Sequence, residues 1–163
     1  MFDFTLNRGR DGPKYFLKNY KQVLLADAYG GYNGVVAGNE IARAGCWAHL
    51  RRKIIDAEKA APEIAREAIE MVRALYAVEK QAKDSSAEER LRLRQQRSVP
   101  VLAELRDKLL TWKEQLLPKH PMAEAINYVL GQWGELNVFS NDGAVPIGRV
   151  ENRRSGVSLP VAA

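Results

Sequence analysis

Two acidic residues and one short basic run are the parts of this chain with the makings of chemistry. Asp27 follows Val23–Leu24–Leu25–Ala26 and precedes Ala28–Tyr29–Gly30–Gly31–Tyr32. A short apolar run stopped by a Gly pair predicts a buried strand ending at a tight turn. Asp27 then sits at the carboxyl end of the strand, where open α/β sheets commonly seat their ligands. Taken alone, an Asp in that place is more commonly a turn or cap residue. Glu151 lies far along the chain in Val150–Glu151–Asn152, among Arg149, Arg153 and Arg154. Between the two acids, Cys46–Trp47–Ala48–His49 leads directly into Leu50–Arg51–Arg52–Lys53.

The C-x-x-H spacing is weak support for zinc. A structural zinc site takes four ligands, and the chain has one Cys and two His, the second His being His120. A buried Cys beside an interfacial Trp and a helix-start His explains the same residues. Arg51, Arg52 and Lys53 read as a solvated first turn. Yet cations at a helix start oppose its macrodipole, and that cost favours phosphate contact. Tyr29, Tyr32 and Trp47 have faces on which bases can stack, although core packing is the commoner fate of such residues.

The elements that must position these groups fall into two regimes. The first 46 residues predict a partial α/β unit. It has strands at Phe2–Thr5, Val23–Ala26 and Ile41–Cys46, a helix from Pro13, and a short helix over Tyr32–Ala37. From Trp47 to about residue 140 the pattern is helical. Ile54, Ile55 and Ala57 give the first helix its apolar side, and Pro62 opens the second, with a seam of Ile64, Ala68, Met71, Leu75, Val78 and Ala82. Ser86 and Glu89 spell a capping box for a third helix, whose seam runs through Leu91, Leu102, Leu105, Leu109, Trp112 and Leu116. Pro100 kinks or restarts that helix, with Ser98 as a new cap. After Pro121 a fourth helix carries Met122, Ile126, Val129 and Trp133. Residues 141–163 lose all periodicity and read as a loosely held tail.

The totals agree with one domain of mixed surface. The 163 residues carry a net charge of +5, from 25 basic and 20 acidic side chains, which permits a nucleic-acid partner without demanding one. A lone Cys excludes an internal disulfide framework and suits a reducing cytoplasm. No apolar run reaches the ~18 residues that cross a bilayer, and Met1–Arg10 is broken by charges unlike a signal peptide.

Three stretches together resemble transposases of the insertion-sequence-66 group: Ala26–Asn33 (ADAYGGYN), Ala44–Glu70 (AGCWAHLRRKIIDAEKAAPEIAREAIE) and Ala125–Leu136 (AINYVLGQWGEL). The likeness runs to about Ile147, and the opening FDFTLNRGRDGP shares it. It implies an RNase H-like core of the Asp-Asp-Glu type, in which three carboxylates hold two Mg²⁺ ions for attack on a DNA phosphodiester. By the same resemblance Asp27 is the second acid and a metal ligand, the helical array is the insertion before the third acid, and His49 contacts or positions DNA. Glu151 stands nearest the place of the third acid. Here Val-Glu-Asn is kept, but the family's preceding Asn pair is absent and Arg153–Arg154–Ser155–Gly156 departs from its pattern.

The expectation that follows is a shortened, end-altered transposase chain: mixed α/β but mostly α, lacking the first acid of the triad, and inactive alone because Mg²⁺ is not held productively. Its partners are then DNA at transposon ends, a full-length transposase or a second copy, and no membrane. From another class comes a DNA-binding or oligomerisation module acting with full-length transposase.

Overall fold

The computed structural model describes residues 24–26 and 43–148. The expected strand at Phe2–Thr5, the helix from Pro13 and the short helix over Tyr32–Ala37 lie outside them. Two short strands, β1 (Leu24–Ala26) and β2 (Arg43–Gly45), pair in parallel with Leu24 opposite Arg43 and Ala26 opposite Gly45. Parallel strands need a crossover of a dozen or more residues, for which residues 27–42 supply the chain. Everything else regular among the described residues is helical, so the chain is mostly α.

Helix α1 (Trp47–Asp56) leaves β2 after one residue. It buries Trp47, Leu50 and Ile54, spaced by three and four on one side. Ile55, expected on that side, is instead 37% exposed, because it lies about 100° round the helix from Ile54. Pro62 opens α2 (Pro62–Gln81), where its missing N–H costs nothing. The buried face of α2 runs through Ala65, Ala68, Ile69, Val72, Leu75 and Val78, with Ile64 and Met71 at its margin.

Ser86 caps α3 (Ala87–Leu93) as its sequence predicts. The Glu89 amide donates to Ser86 Oγ (3.2 Å) and the Ser86 amide to Glu89 Oε2 (3.4 Å). The chain then neither breaks nor recaps at Pro100. A π-helical turn, Arg94–Ser98, carries it into α4 (Val99–Gln115), and the Val99 amide reaches back to the Arg94 carbonyl. The wider turn accommodates a proline that has no N–H to give. Ser98 is therefore helical and fully buried, not a cap.

Helix α4 buries Leu102, Leu105, Leu109 and Trp112, while α5 (Pro121–Gly131) buries Met122, Ala123, Ala125, Ile126 and Val129. The imidazole of His120 caps α5, its Nδ1 accepting from the Met122 amide at 3.1 Å. Two single-turn helices follow, α6 (Trp133–Leu136) and α7 (Val138–Asn141). Helix α1 packs on α2 and α5, α2 on α4, and α4 on α5, while α6 and α7 lie against β2. A Cβ on Gly45 would stand 3.1 Å from the Leu136 amide, so α6 sits directly on the strand. Among the described residues no helix is long and apolar enough to cross a membrane.

Candidate functional site at the carboxyl end of the strands

The carboxyl end of the parallel pair is a meeting place of four segments. Ala26 ends β1 opposite Gly45. Cys46 follows Gly45, and its backbone caps α1 without a side-chain bond. The chain returns there late, when the Ile147 carbonyl accepts the Trp47 amide at 3.2 Å. That bond satisfies one of the unpaired N–H groups at the α1 start. A Cβ on Gly148 would come 3.1 Å from Cys46 Sγ and 3.3 Å from the Trp47 nitrogen, so a side chain there would crowd the start of α1.

Asp27 and Glu151 themselves lie outside the described residues. Their nearest described neighbours in sequence, Ala26 and Gly148, both lie at the end of β2. Among the described residues no three His, Cys, Asp or Glu side chains gather to hold a metal ion. Cys46 and His49 are both half-buried near the start of α1. Arg51, Arg52 and Lys53 are exposed on that helix. Lys53 Nζ lies 5.6 Å from the centre of the Tyr128 ring, within cation–π range.

Trp47 takes the core option. It is fully buried, its indole N–H donates to the Leu136 carbonyl at 2.8 Å, and Trp133 and Phe139 meet it edge to face, each at 6.2 Å between ring centres. The motif Cys46–Trp47–Ala48–His49 is thus anchored by its aromatic residue.

Tyr76, on α2, interacts electrostatically with Cys46, Arg51 and Glu79, and its phenol is pushed up to about 12. Burial is the main cause, Cys46 and Glu79 add to the rise, and Arg51 opposes it. The folded chain then keeps this phenol neutral where the unfolded chain ionises it, so stability falls as the pH climbs from about 10 towards 12. Denaturant midpoints measured across that range should drop in the unmodified chain and drop less in Tyr76→Phe. Equal slopes would show that the phenol is not held back by its surroundings.

Sequence reasoning passed over the residue that ties the site to the helices. Arg94 is buried, forks onto Glu79 through Nε–Oε1 (2.7 Å) and Nη2–Oε2 (2.6 Å), and covers the Phe139 ring at 5.2 Å. Only its sequence position on the apolar side of the third helix, three residues after Leu91, could have pointed to it.

Comparison with known proteins gives the same direction. The uncharacterized proteins y4jD, y4hP and y4qI of Sinorhizobium fredii (strain NBRC 101917 / NGR234) are similar to this chain, at 33%, 31% and 31% identity over 96%, 85% and 90% of it. The chain spans about a third of the length of these curated relatives, 32%, 28% and 29% respectively. No solved structure matches it. The family model described as "Transposase IS66 family" matches residues 1–152, which cover the strand pair, every described helix and both candidate acids, and the chain belongs to that family.

Proposed function

We propose that this chain is part of the strand-cleaving and strand-joining centre of a DNA transposase. In this reading the centre is RNase H-like and of the Asp-Asp-Glu type. Asp27 and Glu151 supply two of its carboxylates, and His49, Arg51, Arg52 and Lys53 meet the DNA. One observation supports the reading: the described residues nearest the two acids in sequence, Ala26 and Ile147–Gly148, lie beside the stretch Gly45–Trp47. Ala26 is registered on Gly45, and Ile147 is hydrogen-bonded to Trp47. Asp27 is the next residue after Ala26, and Glu151 is three residues beyond Gly148, a reach of at most ~11 Å.

Carboxylate oxygens are the donors a hard cation such as Mg²⁺ prefers. When bound, Mg²⁺ would supply Lewis-acid polarisation of the scissile phosphate and a more acidic water. The chain's own part is to hold acids at the strand end and to draw phosphates to the exposed cations of α1. Two carboxylates fall short of the three such a centre uses, so the 163-residue polypeptide alone is expected not to nick DNA. Nicking that needs Mg²⁺ and disappears in Asp27→Ala would overturn that inactivity. The pairing of the acids is tested with Mn²⁺, titrated by its paramagnetic signal. Either Asp27→Ala or Glu151→Ala should weaken binding about tenfold, and unchanged binding in both removes the reading.

The exposure of Arg51, Arg52 and Lys53 favours a second reading, a DNA-binding or oligomerisation module working with a full-length transposase. Replacing all three by Gln should lower affinity for duplex DNA uniformly across sequences. It should also flatten the log–log salt dependence by up to about 3 × 0.9. An unaltered salt slope would place the DNA elsewhere.

A further inference from the structure

Helix α4 carries a sorted surface on its exposed side. Ala103 and Leu110 lie two turns apart on it, within about 20° of each other. Both are exposed, Leu110 at 43%. Arg106 and Lys113, also two turns apart, make a basic row on one side of Leu110. Asp107 and Glu114 make an acidic row on the other side, and each of the four lies about 40–60° round the helix from Leu110. All four charges are exposed. None has an opposite charge three or four residues away, where pairs on one helix form. Among the described residues none takes part in an ion pair, whereas their neighbour Lys108 bonds both Glu67 and Glu104. Just past the end of the helix, Leu117 is 77% exposed.

An exposed leucine on its own is ordinary. Rows of opposite sign on its two sides are a pattern with a complement. A partner of a single sign, such as a nucleic-acid backbone or an anionic lipid surface, meets its own charge on one row. A second copy of this chain need not. A half-turn about an axis parallel to α4 brings Arg106 opposite Asp107 of the partner subunit and Lys113 opposite Glu114 of the partner subunit. Each pair then occurs twice, offset by one residue, about 1.5 Å along the helix. Leu110 and Ala103 meet their own copies between the rows. The antiparallel arrangement sets like rows against each other, so the charges select the parallel one. From this pattern we infer that α4 is a self-pairing surface, on which two copies of the chain associate in parallel through Leu110 and the charged rows. The apolar strip is narrow, so the pairing is weak and concentration-dependent, at the small end of specific interfaces. The inference gives a surface to the oligomerisation reading above and needs nothing proposed for the acids, the metal or DNA. Its failure would leave the DNA contact at Arg51, Arg52 and Lys53 standing.

The test is sedimentation equilibrium of the whole 163-residue chain, with circular dichroism melts to show that each variant folds. The wild-type chain should pass from monomer to dimer as its concentration rises. Lys113→Glu sets like charges opposite each other at two places, and so does Glu114→Lys. Each variant alone should raise the dimer Kd about tenfold. Mixing the two should restore the wild-type affinity, because every reversed charge then finds an opposite one. Leu110→Asp puts two carboxylates on the axis and should leave the chain monomeric. A wild-type chain still monomeric at about 1 mM overturns the inference, as does a dimer that survives Leu110→Asp. A single reversal that tightens the dimer, or a mixture that binds no better than its components, overturns the parallel pairing.

Discussion

Arg94→Ala should lower the stability of the chain by about 3–5 kcal/mol, the range for removing one partner of a buried ion pair. The arginine is 1% exposed and Glu79 only 17%. Truncation strands the carboxylate of Glu79 and the three carbonyls of Phe139, Asp142 and Val145. It also opens a cavity against the Phe139 ring. Native domains hold only about 5–15 kcal/mol in reserve, so the variant should be partly unfolded at 37 °C. Glu79→Gln should cost less, since an amide oxygen still accepts from the guanidinium. Urea denaturation followed by far-UV circular dichroism measures both. A loss below about 1 kcal/mol for Arg94→Ala would mean that water replaces the guanidinium, and that the residue is not the tie described above.

The Trp47→Ala substitution is expected to be as severe, about 3–5 kcal/mol for emptying a large aromatic site. Trp47 packs where α1, α6 and α7 meet beside β2, edge-on to Trp133 and Phe139. Its indole is the partner of a buried carbonyl, that of Leu136. Trp47→Phe separates the two contributions, because it keeps much of the apolar volume and removes the N–H. That variant should lose roughly 1–3 kcal/mol, the cost of leaving the carbonyl unpaired. Equal losses in the Phe and Ala variants would show that the hydrogen bond, not the packing, is what matters. Losses near zero in both would contradict the core role altogether.

Local rules carried the helices. The capping box at Ser86 and Glu89, the prolines at Pro62 and Pro121, and the seam through Leu102, Leu105, Leu109 and Trp112 all stand where the sequence puts them. Each depends on neighbours within one or two turns, so a single stretch holds the whole instruction. The strand before Asp27 was legible in the same way, from Leu24, Leu25 and Ala26. Its partner was legible only as a weak strand near Arg43, because parallel pairing leaves no signal in either segment alone.

Resemblance named the acids, but nothing local in the chain says that Ala26 and residues 147–148 lie beside the same strand end. That follows from Ala26 facing Gly45 and Ile147 bonding Trp47. Cys46–Trp47–Ala48–His49 gave only weak support for a ligand set, with core packing the commoner fate of its tryptophan, and tertiary contacts made Trp47 a core anchor. Arg94 drew no reading from the sequence, and burial against Glu79 and three carbonyls made it the tie between the helices and residues 139–145. By itself the sequence determined which long segments are helical and the cap at Ser86, while the run through Pro100, the burial of Ser98 and the exposure of Ile55 were decided by packing. The tertiary structure alone decided which polar groups are buried together and how residues 139–148 run. Those bonds join side chains to backbone some 45–53 residues away, and such pairings have no period to read.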